Sequence, residues 1–280
     1  MRAPARSWLY VPGHKERLIS KALDSGADAV IIDLEDAVPA EAKDQARDNA
    51  AMIAADRGDT VDGPQIWVRI NQAGSPWHDH DVAALAGSGI DGLRVPKVES
   101  VESVCAIAEA SRLPLLLIIE SARGLLDAPA LARAHPSVVG ISLGEADLSA
   151  DLRVGPNGLD WARGWLVTAA RAAGLPSPAQ SVWTHVRDLD GLRASSIRSR
   201  EYGFHGRTVI HPTQIPIVND VFTPSDAEIT AAQAVVDAAQ EAADNGSAAL
   251  LDSDGCFIDP AVVEQARVVL SLAQRDGIAS

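Results

Sequence analysis

Short, mostly apolar runs alternate with longer stretches of helical period along most of the chain. The runs fall at 8–11, 29–34, 66–70, 92–95, 115–119, 138–143, 180–183 and 208–210. Helical periodicity marks 15–25, 40–55, 101–110, 125–134, 159–173, 189–202 and 213–221. Continuous Val/Ile/Leu runs, rather than alternating ones, belong to strands covered on both faces. A strand–helix–strand rhythm makes right-handed βαβ units and a parallel sheet. Eight such runs predict an α/β fold of the (β/α)8 TIM-barrel type over residues 1–222. The rival is a doubly wound open sheet, but no GxGxxG follows an early run, so its commonest nucleotide signature is missing.

The texture changes after Thr223. Residues 226–244 read as one long Ala-rich helix with Ser225 as its N-cap. Runs at 248–251 and 256–258, around a turn at 252–255, predict a hairpin, and 260–275 a closing helix with Pro260 in its first turn. Residues 223–280 are therefore expected to be a C-terminal helix–hairpin–helix appendage, able to cover a barrel mouth or reach a neighbouring subunit. A barrel closed by eight units does not need it, so its apolar helix face calls for another partner.

Charge and cysteine usage narrow the classes. Lys and Arg number 24 against 38 Asp and Glu, a net charge of −14, which argues against a nucleic-acid binder. A 47% hydrophobic share with 22% charged residues is that of a globular chain. Two cysteines, Cys105 and Cys256, form neither a disulfide framework nor CxxC, as suits a reducing cytoplasm. No apolar run approaches a membrane span, and the stretch before Pro12 is too short for a signal-peptide core.

Barrels place chemistry at the C-terminal ends of their strands. Six of the eight runs end in a charged or metal-competent group: Asp33 with Glu35 and Asp36, then Arg69, Lys97, Glu120, Asp147 and His211. Helix N-caps account for any one of these, but not easily for all six. Glu120 and Asp147 follow neighbouring apolar strands, and two hard carboxylates without Cys or His are a ligand set for Mg²⁺. The plainer reading has Asp147 capping a helix and Glu120 pairing with Arg123. Arg69 is suited to two-pronged binding of a carboxylate, or to an ion pair with Glu35 or Asp36. Lys97 is either a Schiff-base amine or an electrostatic partner of the Asp33/Glu35/Asp36 cluster. His211 is an acid–base candidate or a histidine bonded to a backbone carbonyl. The His78-Asp79-His80 pattern resembles a barrel-hydrolase metal motif, but only His211 among the other histidines stands at a later strand end, and the segment reads as a solvated helix start.

The stretch from Leu9-Tyr10-Val11-Pro12-Gly13 to Asp33-Leu34-Glu35-Asp36 resembles the opening of the citrate lyase β-subunit-like proteins of the HpcH/HpaI aldolase and citrate lyase family. The likeness continues through Val68-Arg69-Ile70-Asn71, Val95-Pro96-Lys97, Glu120-Ser121-Ala122-Arg123-Gly124, Gly144-Glu145-Ala146-Asp147, Val209-Ile210-His211-Pro212 and, in the tail, Phe257-Ile258-Asp259-Pro260. It implies a Mg²⁺-dependent barrel lyase acting on an acyl-thioester, as a homotrimer or larger homo-oligomer. Glu120 and Asp147 match the metal ligands and Arg69 the residue on the substrate carboxylate, with Glu120 also beside the substrate. Asp259 matches an aspartate that reaches an adjacent subunit's site in some members, and is nominated as the base, with Arg17 as a cation for the thioester enolate. Supporting roles fall to Glu35, Asp36, Lys97 and His211. The partners implied are a CoA thioester and a small keto or hydroxy acid. Two departures stand out: Ala146 occupies the place where many members carry an acid directly before the metal aspartate, and the seventh run lacks an Asp found in several relatives. The expected reaction is carbon–carbon cleavage or formation at a β-hydroxyacyl-CoA or citryl-type thioester. The alternatives are malate-synthase-like condensation with thioester hydrolysis, a pyruvate-forming metal aldolase on a non-CoA acid, and a lyase subunit confined to a carrier-protein thioester.

Overall fold

The structure, a computed structural model, describes residues 4–57, 63–244, 250–251 and 257–275. One compact unit runs from Pro4 to Asn219, and a second begins at Asp220. In the first, β1 (Ser7–Pro12), β2 (Ala29–Asp33), β3 (Gln65–Arg69), β4 (Gly92–Val95), β5 (Leu115–Ile119), β6 (Val138–Leu143) and β7 (Arg207–Val209) form a seven-stranded sheet. Its order is β6-β5-β4-β3-β2-β1-β7, and every pairing is parallel. The intervening helices are α1 (Glu16–Leu23), α2 (Lys43–Arg57), α3 (His78–Leu85), α4 (Val101–Ser111), α5 (Ala122–Leu131), α6 (Glu145–Leu152), α7 (Asp160–Ala172) and α8 (Leu189–Glu201), with α9 (Ile215–Phe222) after β7. Because neighbouring strands run the same way, all their C-terminal ends emerge on one side.

Strand periodicity sorts the side chains. Trp8, Ala29, Ile31, Trp67 and Leu116 meet in one buried cluster with Ala5 and Ala179. One register level on, Asp33, Arg69 and Arg94 lie side by side across β2, β3 and β4. Polar side chains thus begin where the apolar layer ends.

The seventh predicted run is not a strand. Gln180 makes an isolated parallel bridge to Arg207, accepting from Thr208 N–H at 2.8 Å and donating to Gly206 O at 2.9 Å. Ser181 Oγ donates to Leu143 O at 2.6 Å, so the segment is bonded to both β7 and β6. Ser181 N–H donates to Gln180 Oε1 at 3.0 Å and Trp183 O accepts from Gln214 Nε2 at 2.9 Å, so side chains take backbone groups that a ladder would need.

In the second unit α10 (Asp226–Asp244) is followed by the antiparallel pair β8 (Leu250–Leu251) and β9 (Phe257–Ile258), then α11 (Pro260–Arg275). Ser225 and Glu228 form a reciprocal capping box: Glu228 N–H donates to Ser225 Oγ at 3.3 Å and Ser225 N–H to Glu228 Oε2 at 2.8 Å. The predicted turn and Cys256 lie outside the described residues. No helix among the described residues is long and apolar enough to cross a membrane.

Candidate active site

A cavity of about 380 Å³ opens at the strand ends, walled by Gln72, Lys97, Glu99, Glu120, Asp147 and Asp151. Glu120 follows β5 directly and is 6% exposed. Its Oε2 accepts the Lys97 N–H at 2.8 Å, an N–H aimed by a left-handed backbone at Lys97 (φ 53°). Elsewhere among the described residues, the non-glycine residues with left-handed φ are Arg112 and Arg153, which cap helices; Lys97 caps none. Glu120 is packed so closely against Gly144 that a Cβ there would lie 2.3 Å from Oε1. Burial pushes the Glu120 carboxyl up to about 6, with Asp147 adding to the rise.

Asp147 sits in the first turn of α6, which begins at Gly144 with no side-chain cap. The capping role allowed for Asp147 is therefore not taken. Nor does Glu120 pair with Arg123, whose Nε donates to Asp127. Glu145 is not among the cavity-lining residues and is held by Arg163 through Nε at 2.7 Å and Nη2 at 2.5 Å. It does not replace the acid missing at Ala146.

The neighbouring strand ends form an ion cluster. Arg69 donates Nε and Nη2 to the two oxygens of Asp33, both at 2.7 Å, while its Nη1 stands 3.0 Å from Glu35 Oε2 and 3.1 Å from Asp36 Oδ2. Asp33 also accepts the N–H groups of Glu35 and Ala37, each at 3.0 Å, so the loop after β2 wraps around its carboxylate. Glu35 is buried with neither carboxylate oxygen hydrogen-bonded, and burial raises its pKa to about 7. Lys97 Nζ lies 3.7 Å from Glu35 Oε1. Burial works to lower the Lys97 pKa, but Glu35, Asp36, Asp147 and Glu120 outweigh it and hold the amine above its ordinary value. A Schiff-base amine needs the opposite shift.

Other expected residues are elsewhere. Arg17 is exposed on α1 and is not among the residues lining the cavity. His211 is exposed and caps a short 3₁₀ turn, its Nδ1 facing Thr213 Oγ1 at 2.8 Å. That is neither a core histidine nor one bonded to a carbonyl. The 77–81 segment does start a helix, but His78 and Asp81 are buried rather than solvated: His78 Nδ1 meets Asn71 O at 2.8 Å, and Asp81 takes Asn71 N–H at 2.9 Å and Arg47 Nε at 2.9 Å. Asp259 caps α11, its Oδ1 accepting Ala261 N–H and Val262 N–H at 2.9 Å.

Sequence reasoning passed over two residues. Tyr10 lies between two guanidinium groups, 4.9 Å from Arg69 and 5.6 Å from Arg94. Arg94 is fully buried, donates Nη2 to Ser142 Oγ at 3.1 Å, and has burial lowering its pKa. A charged residue inside the apolar run 92–95 was the available signal.

The donor set fits a hard, hydrated cation. Glu120 and Asp147 line the same cavity, and the lack of a Cβ at Gly144 makes room for the Glu120 carboxylate. Among the described residues no group of three or more His, Cys, Asp or Glu is placed to hold a metal. Two carboxylates with water and substrate oxygens completing the shell is the Mg²⁺ pattern.

The chain matches known proteins over its length. The model of the family described as HpcH/HpaI aldolase/citrate lyase matches residues 6–212. A (3S)-malyl-CoA thioesterase of Cereibacter sphaeroides is 40% identical over 278 residues, covering 97% of this chain and 95% of that protein. The citrate lyase subunit beta of Leuconostoc mesenteroides is 34% identical, covering 96% and 93%. The crystal structure of CitE from Mycobacterium tuberculosis, in complex with magnesium, acetoacetate and coenzyme A, superposes with a TM-score of 0.79 at 28% identity, covering 99% and 100%.

Proposed function

The chain belongs to the HpcH/HpaI aldolase/citrate lyase family, and from that premise we propose that it is a Mg²⁺-dependent carbon–carbon lyase of CoA esters. The substrate class is a β-hydroxyacyl-CoA of malyl or citryl type, cleaved to a keto acid and an acyl-CoA. The observation that carries the reading is that Glu120 and Asp147 line one cavity, with the Arg69 cluster at neighbouring strand ends. The sheet, with the Gln180 segment bonded to both edges, supports a (β/α)8 barrel whose eighth strand is reduced to a bridge.

Glu120 and Asp147 would hold Mg²⁺, which when bound supplies Lewis-acid polarisation of the substrate oxygens. Glu120 is pre-oriented for this by the Lys97 N–H. Arg69 has its Nε/Nη2 edge committed to Asp33, so a substrate carboxylate is offered the Nη1 side, in competition with Glu35 and Asp36. That is a tighter restriction than a free two-pronged arginine. Lys97 balances the carboxylates around it. The hydroxyl proton must leave as the bond breaks, and we assign the base to Asp259 of a neighbouring subunit in a homotrimer or larger assembly, with Arg17 near the thioester. The keto acid would bind at Glu120 and Arg69 and the CoA arm along the cavity rim.

A second reading has one specific support. The 40% identical relative is a malyl-CoA thioesterase, so hydrolysis of the same class of ester is the alternative outcome. Comparing a CoA ester with its free hydroxy acid tests the substrate class: turnover confined to the ester supports the proposal, and equal turnover of the free acid favours an aldolase instead.

A further inference from the structure

We propose that Lys43 is a positioning residue that locks the loop after β3, which lines the candidate metal-binding cavity, to the loop after β2, which carries Glu35 and Asp36. Lys43 is the first residue of α2, close in sequence to the loop after β2 but 28 residues before Asn71, and buried. Its ammonium makes three hydrogen bonds of 2.7 Å: to Leu34 O, to Glu35 O and to Asn71 Oδ1. The fourth side is the Trp77 ring, its centroid 5.2 Å from Nζ. All three donor protons are used, two on the loop after β2 and one on the loop after β3.

The loop after β3 lines the cavity, and the loop after β2 reaches it through Glu35, whose Oε1 lies 3.7 Å from Nζ of the cavity residue Lys97. The first holds Glu35 and Asp36 against Arg69; the second continues from Asn71 into Gln72 and Ala73, which line the cavity. Asn71 is fixed in turn by Asp81, which takes its N–H at 2.9 Å and its Nδ2 at 2.7 Å, and Asp81 is held by Arg47. The chain of contacts ends in the α2 and α3 scaffold. Burying an ammonium is unfavourable, and burial lowers the Lys43 pKa. Such a cost is tolerated where the group fixes geometry that apolar packing does not. Glu35 has no hydrogen bond to either carboxylate oxygen, so its place opposite Arg69 depends on its backbone, which Lys43 and the Asp33 carboxylate hold from two sides.

This assignment rests on the proposed lyase reading for its kinetic arm only. The test compares Lys43→Met with the wild-type full chain by amide hydrogen exchange, thermal melting and steady-state kinetics on an accepted CoA ester with Mg²⁺. The expected result is faster exchange confined to residues 34–38 and 70–75, with kcat lowered tenfold or more and KM for the ester within twofold. Unchanged exchange in both loops, or loosening spread evenly over β1 and β5, overturns the proposal, as does a wild-type kcat. If Lys43→Met does not fold, Lys43→Arg decides: a guanidinium keeps the charge but cannot put three donors on those acceptors. A folded Lys43→Arg protein with lowered kcat and unchanged KM supports the assignment, and wild-type kcat overturns it. A wild-type chain inactive on every CoA ester would sink the lyase reading while leaving the exchange result to judge Lys43.

Discussion

Arg69 meets Asp33 edge to edge, through two parallel hydrogen bonds of 2.7 Å between adjacent strand ends in register. The pair converts an arginine suited to seizing a carboxylate into one held rigidly by its own, with a single nitrogen left toward Glu35 and Asp36. In the proposed reaction a substrate carboxylate at Arg69 would have to compete with the acids already beside it.

Removing either half should have distinct consequences. Asp33→Ala leaves a largely buried guanidinium without its main partner and is expected to cost about 3–5 kcal/mol in chemical denaturation. Arg69→Lys keeps the charge but makes one point contact where there were two, and should lower kcat/KM by about tenfold to a hundredfold. Equal stability of Asp33→Ala and wild type would contradict the pair's role.

Gly144→Ala tests how closely Glu120 is fitted. A methyl group 2.3 Å from Oε1 must push the carboxylate aside. The variant should remain folded and bind Mg²⁺ at least tenfold more weakly in calorimetric titration. Unaltered affinity would mean that Glu120 can hold the ion from another position.

The buried carboxyls give a pH dependence with a definite sign. Glu35 rises from 4.5 to about 7 in the fold, so between those values the folded state binds more protons than the unfolded state. Stability should then fall as pH rises through that window, by an amount on the order of 3 kcal/mol from this group. Thermal melting of metal-free protein should show the decline from pH 5 to 7.5, and Glu35→Gln should flatten it. An identical slope in the variant would remove Glu35 as its source.

Much of this site was legible in the sequence because strand ends advertise themselves. Glu120 and Asp147 each follow an unbroken apolar run, and the convergence of such ends follows from parallel strands alone. What the sequence hid was pairing. Nothing in Val68-Arg69-Ile70 says that the guanidinium is already taken by Asp33, or that Glu145 belongs to Arg163. Lys43 reads as an ordinary first-turn lysine, since its three acceptors come from two other segments. The run 180–183 suggested a strand, but the Gln180 and Gln214 side chains take the Ser181 N–H and the Trp183 carbonyl and leave only a bridge.

Catalysis across subunits by Asp259 can be separated from its observed capping of α11. Asp259→Ala and Glu120→Ala proteins, each expected to be inactive, should regain partial activity when dissociated and reassembled together. No recovery in verified mixed oligomers would count against a role in trans, and a fully active Asp259→Ala would leave only the cap.

The central claim is metal-dependent carbon–carbon cleavage through Glu120 and Asp147. Its most direct test is product analysis by mass spectrometry after incubating the chain with malyl- and citryl-type CoA esters, with and without Mg²⁺. The expected products are equal amounts of acyl-CoA and keto acid, formed only with Mg²⁺ and lost in Glu120→Ala and Asp147→Ala. Free CoA without keto acid, or turnover indifferent to the metal and to both substitutions, would contradict it.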